Sequence, residues 1–402
     1  FVSEGGTISH SSTDLLPGKT TAFLVSPTAK DLFRDLKKQN IKSFVFAHIG
    51  GRYADFKMHD PALEIAAEIH SSWGTFEWLV EEALKRGYRI GIVANSDDHK
   101  CRPGASYPGS GQFGSLGGLT CVLARSLTRE DIFCALKARH FYATTGNRPL
   151  MDVRLLTPGG KQAMMGDAVH SASGMAELYV SVVGSAPVES VEIHNGLETI
   201  QTFRPYKAGD LGNRLKLVWS GAEVPGRARM TRWDGNLALR ENAILKATPI
   251  NFWNANQPLR QSGQTLSWQS STTGGLSGII IELKNPDSGS IDITTTQGQF
   301  SADIKTIWIE PKVWEYGGLN KRVELYRLPT KPQPGEFSFK MTLAELKSGD
   351  NPLFVKMVQE GRTVAEIHAA EDALAKDHPA WQGRQFLTTA VEVIYGSLKG
   401  TE

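Results

Sequence analysis

The chain has 402 residues, of which 40% are hydrophobic and 21% charged, and its 44 basic and 42 acidic side chains leave a net charge of +2. This length allows two or three domains that each bury a core. The charge is balanced and forms no basic stripe, and no apolar run approaches the ~20 residues of a membrane helix, so we expect neither nucleic acid nor a membrane as a partner.

The first 150 residues alternate between strand and helix patterns. Nearly continuous apolar strands that alternate with helices are typical of a parallel sheet or barrel covered by helices. The segment "EIAAEIHS" is interpreted as a strand, although its apolar spacing also fits a helix. Thr75 and Thr128 precede the two helices and are their predicted caps. The predicted strands are 43–48, 64–71 and 89–95, and the predicted helices are 75–87 and 128–140.

The pattern changes near residue 150. From 151 to 360, short runs rich in β-branched residues are separated by Gly, Pro, Asn and Asp, which is typical of an all-β sandwich. Residues 361–402 differ again and predict a helical tail. Six tryptophans could line a carbohydrate-binding face, but packing inside the sandwich is the interpretation we favour. They are Trp219, Trp233, Trp253, Trp268, Trp308 and Trp314.

Side chains that can bind a metal stand at the ends of three predicted strands. His48 ends the first, Glu68 and His70 end the second, and Asp97 and His99 follow the third. In parallel α/β folds these strand ends meet at one rim, and residues two apart share one face of a strand. Imidazole and carboxylate ligands together suit Zn, Mn or Fe. Polar turns that simply close ordinary strands are the alternative.

Five segments together resemble the PHP superfamily (polymerase and histidinol phosphatase), and more narrowly its bacterial branch known only as a domain of unknown function. The resemblance covers about residues 1–360. It implies a distorted (β/α)7 barrel with up to three divalent metals at its C-terminal rim. The early His-x-His of that family is absent, so residues 1–150 are expected to form only the second half of the barrel. The segments are "SFVFAHIGGRYAD", "EIHSSWGTFEW", "GYRIGIVANSDDHKCRPGASYPG", "GGLTCVLARSLTREDIFCALKARHFYATTGNR" and "MTRWDG".

The resemblance also implies a set of metal ligands. His48 resembles a late histidine ligand of the family, and Asp97 with His99 resembles its final Asp-x-His. These three residues are therefore the expected metal ligands, for Zn, Mn or Fe. Asp98 points to the other face of the strand and is expected to be a cap.

A second set of residues is expected to take part in catalysis without holding the metal. Glu68 and His70 are expected to contact the metal ligands or the substrate, with direct coordination as the alternative. Arg102, with Arg52 and Lys100, is a rim cation that would hold a phosphate or another anion, with a solvated charge as the alternative.

The resulting hypothesis is a metal-dependent hydrolase, phosphoesterase-like, in which metal-activated water attacks a small anionic or ester-like substrate. A carbamate, ester or amide hydrolase on the same site and a non-catalytic binding or scaffold protein are the alternatives. No signal-peptide pattern follows Phe1, so the bacterial cytoplasm and periplasm both stay open as compartments. The sequence predicts no oligomeric state.

Overall fold

A computed structural model supplies the coordinates of the chain. It describes residues 28–39, 42–48, 56–97, 115–171, 173–225, 230–252, 254, 256–344, 346–361 and 364–379.

The amino-terminal region is a small parallel sheet with helices packed beside it. Strands β1 (Val45–Ala47) and β4 (Gly91–Ala94) pair in parallel with β2 (Glu64–Ser71) on either side, and β3 (Gly74–Thr75) turns back antiparallel onto the end of β2. Strands β5 (Leu119–Val122) and β6 (Phe141–Thr144) pair antiparallel, and the Thr120 hydroxyl ties β5 to Ala94 at the end of β4. The elements are α1 (Ala29–Lys38), β1 (Val45–Ala47), the 3-10 turn Phe56–Met58, β2 (Glu64–Ser71), β3 (Gly74–Thr75), α2 (Glu77–Lys85), β4 (Gly91–Ala94), β5 (Leu119–Val122), α3 (Arg129–Lys137) and β6 (Phe141–Thr144).

Local sequence explains where these helices begin. The hydroxyl of Thr128 accepts a hydrogen bond from the amide of Asp131 at 3.2 Å, which is the predicted cap of α3. The predicted cap of α2 is wrong, because α2 begins after Phe76 without a side-chain cap. The Thr75 hydroxyl bonds to His70 instead.

From Leu150 to Gln359 the described chain folds almost entirely into antiparallel strands. These form sheets in the orders β24-β9-β7-β8, β11-β10-β25, β13-β18, β15-β19-β12-β23-β22 and β16-β17-β14-β20-β21. The elements are β7 (Leu150–Leu156), β8 (Gln162–Met164), β9 (Ala176–Val183), β10 (Val188–Asn195), β11 (Glu198–Phe203), the 3-10 turn Ala208–Asp210, β12 (Leu211–Ala222), β13 (Thr231–Arg232), β14 (Gly235–Arg240), β15 (Ile244–Ile250), β16 (Arg260–Ser262), β17 (Thr265–Trp268), β18 (Ser271–Thr272), β19 (Leu276–Leu283), β20 (Ser290–Thr295), β21 (Gly298–Asp303), the 3-10 turn Ile304–Thr306, β22 (Lys312–Glu315), β23 (Leu319–Pro329), β24 (Glu336–Leu343) and β25 (Leu353–Gln359). The helix α4 (Val364–Asp377) follows.

The two five-stranded sheets share one hydrophobic core. Alternate residues of their strands face inward, and Trp219 and Trp268 stack with ring centroids 5.0 Å apart. Trp233 lies in the same core, so these three tryptophans pack inside the fold, which is the interpretation favoured from the sequence. Trp308 is 53% exposed, and Trp253 lies outside the described residues.

The predicted (β/α)7 barrel is wrong. Parallel pairing within the described residues is confined to β1–β2 and β2–β4, and no described sheet closes on itself. Parallel neighbours need a crossover of about a dozen residues, whereas antiparallel neighbours need only a tight turn. Even β5 and β6, which α3 separates in the sequence, pair antiparallel. The described chain is therefore mainly β, with four α-helices.

None of the described helices has both the length and the apolar character required to cross a lipid bilayer.

Candidate functional site

The parallel strands β1, β2 and β4 bring polar residues together at their carboxyl ends. Ala47 pairs with Ala67, and Glu68 pairs with Val93, so the three strands end at nearly the same level. His48 directly follows β1, and Glu68 lies within β2 next to it. Parallel strands carry their carboxyl ends to one edge, and the structure brings these two residues together there.

His48 and Glu68 form a close imidazole–carboxylate pair. The Nδ1 of His48 donates to Oε2 of Glu68 at 2.6 Å, and the amide of Asn95 donates to Oε1 of Glu68 at 2.9 Å. The Glu68 side chain is only 4% exposed, while that of His48 is 52% exposed. A buried carboxylate therefore anchors a half-exposed imidazole, and it places the lone pair of the neutral ring on Nε2.

Asp97 lies on the other side of the same imidazole. Its Oδ2 is 3.9 Å from Nε2 of His48. Its backbone φ is 45°, a left-handed conformation that Asp adopts more readily than most residues but that still carries strain. Two donors hold its carbonyl oxygen, the Ser72 hydroxyl at 2.9 Å and the Trp73 indole at 3.1 Å. Strained residues held in this way are frequent at functional sites.

His70 has a different environment from the one predicted. It is buried, its Nε2 donates to the carbonyl of Leu116 at 2.8 Å, and its Nδ1 accepts from the Thr75 hydroxyl at 2.7 Å. Burial lowers the pKa of His70 to about 4, against the opposing effects of the Leu116 carbonyl and of Glu68. His70 is therefore a neutral imidazole with both nitrogens bonded inside the protein.

The expectation of a metal-binding group fails within the described residues. No three or more His, Cys, Asp or Glu side chains of this part of the chain are arranged to hold a metal ion. The strand ends bring His48 and Asp97 close to each other, but both oxygens of Glu68 are bonded to protein donors and His70 is turned toward Leu116. A complete metal centre cannot be built from two donors.

Several predicted residues lie outside the described chain. These are the metal ligand His99, the catalytic candidate Arg102, the rim cations Arg52 and Lys100, and the predicted cap Asp98.

Sequence reasoning missed three polar residues that organise the site. Asn95 ends the strand "RIGIVAN", and its position beside the next strand end was a usable signal for a contact with Glu68. Ser72 and Trp73 had no such signal, because they act through the backbone carbonyl of Asp97, 25 and 24 residues further along the chain.

Part of the chain is similar to proteins and to a family model without an assigned activity. A family model described as "Protein of unknown function (DUF3604)" matches residues 92–181, from within β4 to within β9. An uncharacterized protein of Chlamydia pneumoniae is 31% identical over 176 residues, which cover 38% of this chain and 27% of the relative. Uncharacterized proteins of Chlamydia muridarum and Chlamydia trachomatis are each 28% identical, again over 38% of this chain and 28% of the relative.

The chain spans little more than a quarter of the length of these curated relatives. No solved structure matches it.

The resemblance to the PHP superfamily is not supported. The matching family is one of unknown function and no PHP family matches. Sequence motifs need a structural context to confirm them, and the barrel that would confirm this resemblance is not formed by the described residues.

Proposed function

We propose that this chain carries part of the active site of a hydrolase for a small ester-like substrate. A phosphoester is the first candidate substrate, and a carbamate, carboxylic ester or amide is the alternative. The observation that carries the proposal is the position of His48 between two carboxylates, with Nδ1 bonded to Glu68 and Nε2 facing Asp97.

The chemistry of the proposal begins with the orientation of the imidazole. Glu68 accepts a hydrogen bond from the Nδ1–H of His48, so Nε2 is the basic nitrogen of the neutral ring. A half-exposed imidazole in that tautomer can accept a proton from water as the water attacks an ester, and such general-base assistance contributes about 10²–10⁴-fold to a rate. The carboxylate then stabilises the imidazolium that forms.

A divalent ion, Zn, Mn or Fe, belongs to the proposal as its cofactor in a form that excludes the general-base role of His48, because an Nε2 lone pair that binds an ion cannot accept a proton from water. The turnover assay with and without metal separates the two forms. His48 Nε2 and Asp97 Oδ2 are the two described donors that fit such an ion, and the bond from His48 Nδ1 to Glu68 is the outer contact that metal-bound histidines usually make. Bound there, an ion would supply water with a pKa near 7. That His99 completes the ligand set stays a prediction from the sequence.

The test is a turnover assay of the purified chain against phosphomonoesters, phosphodiesters and aryl carbamates, with and without Mn²⁺ or Zn²⁺. We expect His48→Ala and Glu68→Gln each to reduce turnover of the accepted class by about 10²-fold or more. His140→Ala is the matched control, because His140 also pairs with a carboxylate, Asp167 at 2.9 Å, but it follows α3 rather than a parallel strand.

The assay has clear outcomes for the proposal. Loss of turnover in the His48 and Glu68 variants with full turnover in the His140 variant supports it. No turnover of any substrate class under either metal condition contradicts it, as does turnover that survives the loss of His48.

A further inference from the structure

We infer that the all-β region positions the strand-end site by docking one of its turns on the turn between β2 and β3. We call residues Thr272–Gly275 the docking turn and residues Ser71–Thr75 the receiving turn. That the strand ends form a site rests on the function proposed above, whereas the contacts between the two turns and their test do not depend on any activity.

The two turns meet backbone to backbone through a pair of glycines. The amide of Thr75 donates to the carbonyl of Thr273 at 2.9 Å. A Cβ on Gly74 would lie 2.1 Å from that same carbonyl oxygen, and a Cβ on Gly274 would lie 1.8 Å from the carbonyl oxygen of Thr75. Both glycines also have positive φ, +136° and +77°. Neither position therefore accommodates a side chain while the turns remain in contact.

The docking turn is itself held firmly by the all-β core. Gly221 exchanges backbone hydrogen bonds with it, accepting from Gly274 and donating to Gly275, each at 3.1 Å. The Thr272 hydroxyl donates to the carbonyl of Gly221 at 2.7 Å and accepts from the indole of Trp233 at 2.9 Å. Since Trp233 is fully buried in the core, the position of the docking turn follows from the packing of the two large sheets.

Hydrogen bonds connect the receiving turn to the strand ends and so fix their positions relative to it. On one side, the Thr75 hydroxyl bonds to Nδ1 of His70, and the His70 carbonyl accepts from the amide of Asn95 at 3.1 Å. Asn95 in turn holds Glu68, the partner of His48.

On the other side, the receiving turn holds the end of β4 directly. The amide of Ser72 donates to the carbonyl of Ser96 at 2.9 Å, and the Ser72 hydroxyl and Trp73 indole hold the carbonyl of Asp97. Ser72 is 1% exposed. A displacement of the receiving turn therefore moves both the carboxylate that anchors His48 and the carboxylate that faces it. Ser72, Trp73 and Thr75 are positioning residues in this scheme.

The inference is tested by amide hydrogen exchange on Gly274→Ala, compared with Gly263→Ala. Gly263 is a matched control, since it lies in the same region with φ +58° and a Cβ added there would meet no atom within 4 Å. Both variants put alanine in a left-handed conformation, and only Gly274→Ala pushes the two turns apart. We expect the amides of Thr75, Ser72 and Asn95 to exchange about tenfold faster or more in Gly274→Ala and to be unchanged in Gly263→Ala.

The amides of Ser72 and Asn95 decide the result, because their bonds lie away from the docking contact itself. Faster exchange at Thr75 alone would overturn the inference, since the turns would then touch without positioning the strand ends. Unchanged exchange at all three amides would overturn it as well.

A milder variant covers the case in which Gly274→Ala does not fold. A Cβ on Gly275 would press on the Thr75 hydroxyl at 3.1 Å, a contact that a small shift can relieve. Gly275→Ala is expected to alter the ring 15N and 1H chemical shifts of His70, and an unaltered His70 spectrum would count against the inference. These measurements need no substrate, so a failed turnover assay with the expected exchange pattern would refute the proposed function alone.

Discussion

Glu68 in the α/β region and Glu189 in the all-β region are both buried carboxylates, and their surroundings differ in one respect. Glu189 accepts from Lys216 Nζ at 2.5 Å and from the Tyr326 hydroxyl at 2.6 Å, and all three residues are buried. Glu68 also has both oxygens bonded, but one of its partners, His48, is 52% exposed. The first cluster is closed within the protein, and the second reaches its surface.

This difference separates structural polar groups from groups that can meet a substrate. A buried charge that is fully paired inside the fold fixes how two sheets pack, and it has no route to a ligand. A buried charge that orients an exposed imidazole controls the tautomer of a group that water and substrate can reach. Burial and pairing alone therefore do not distinguish the two clusters, and the exposure of His48 does.

The comparison predicts that removal of Glu189 has the largest effect on stability. Glu189→Ala leaves the Lys216 ammonium buried without its counter-charge, which we expect to lower the free energy of unfolding by about 3–5 kcal/mol. Urea denaturation measures this value. Glu198→Ala is the control, since its pair with Lys347 is exposed on both sides, and we expect it to cost less than ~1 kcal/mol. Equal losses in the two variants would refute the distinction.

The pH dependence of stability gives the next largest effect, through His70. Burial lowers its pKa from 6.5 to about 4, so the folded protein resists a proton that the unfolded chain accepts. The stability that depends on neutral His70 is therefore fully present above pH 6.5 and is lost as the pH falls toward 4, by roughly 3 kcal/mol.

Urea denaturation across this pH range, on the native chain and on His70→Gln, measures the effect of His70. The glutamine amide can still donate to Leu116, but it does not titrate, so the variant should lose less stability on acidification than the native chain. Parallel pH profiles for the two proteins would contradict the assignment.

A smaller effect is expected from the hydroxyl of Thr75. Thr75→Val removes the donor to Nδ1 of His70 and leaves that buried acceptor unsatisfied, which we expect to cost about 1–3 kcal/mol of unfolding free energy. Thr199→Val is the matched control, because the Thr199 hydroxyl lies 3.1 Å from Nδ1 of His194 at an exposed position. Equal unfolding free energies for the two valine variants would contradict the prediction that the buried hydrogen bond stabilises the fold more than the exposed one.

The smallest effect is expected from an ion pair on the surface between the two regions. Arg89 donates three hydrogen bonds to Asp350, but the two side chains are 68% and 67% exposed. Arg89→Ala should therefore lower the unfolding free energy by less than ~1 kcal/mol, as measured by urea denaturation. A loss above ~2 kcal/mol would mean that surface charge, rather than the docking turn, joins the regions.

The sequence predicts the local elements of the fold, but it does not predict how the strands pair. Strand β2 occupies the predicted residues 64–71, and α2 and α3 lie within the predicted 75–87 and 128–140, because apolar spacing reports local structure. Spacing does not report the direction in which strands pair, and the predicted barrel failed for that reason. It extended the parallel order of β1, β2 and β4 to strands that pair antiparallel.

The candidate site was likewise predictable where it depends on strand ends, and it was not predictable where it depends on distant partners. That His48, Glu68 and Asp97 come together follows from the ends of parallel strands, which the sequence locates. The buried environment of His70 was not predicted. It depends on Leu116, 46 residues away, and on Thr75, whose expected role was to cap a helix. Long-range partners of this kind leave no pattern in the sequence, and neither does the backbone contact of Gly74 with the docking turn.

The most direct measurement of the central claim is the tautomer of His48, read from the ring 15N chemical shifts near neutral pH. For the neutral form of the His48 ring the structure predicts the proton on Nδ1, and a shift away from that tautomer in Glu68→Ala, where the acceptor is gone. A His48 ring protonated mainly on Nε2, or one that is unaffected by the Glu68 substitution, would contradict the claim that Glu68 prepares this imidazole for catalysis.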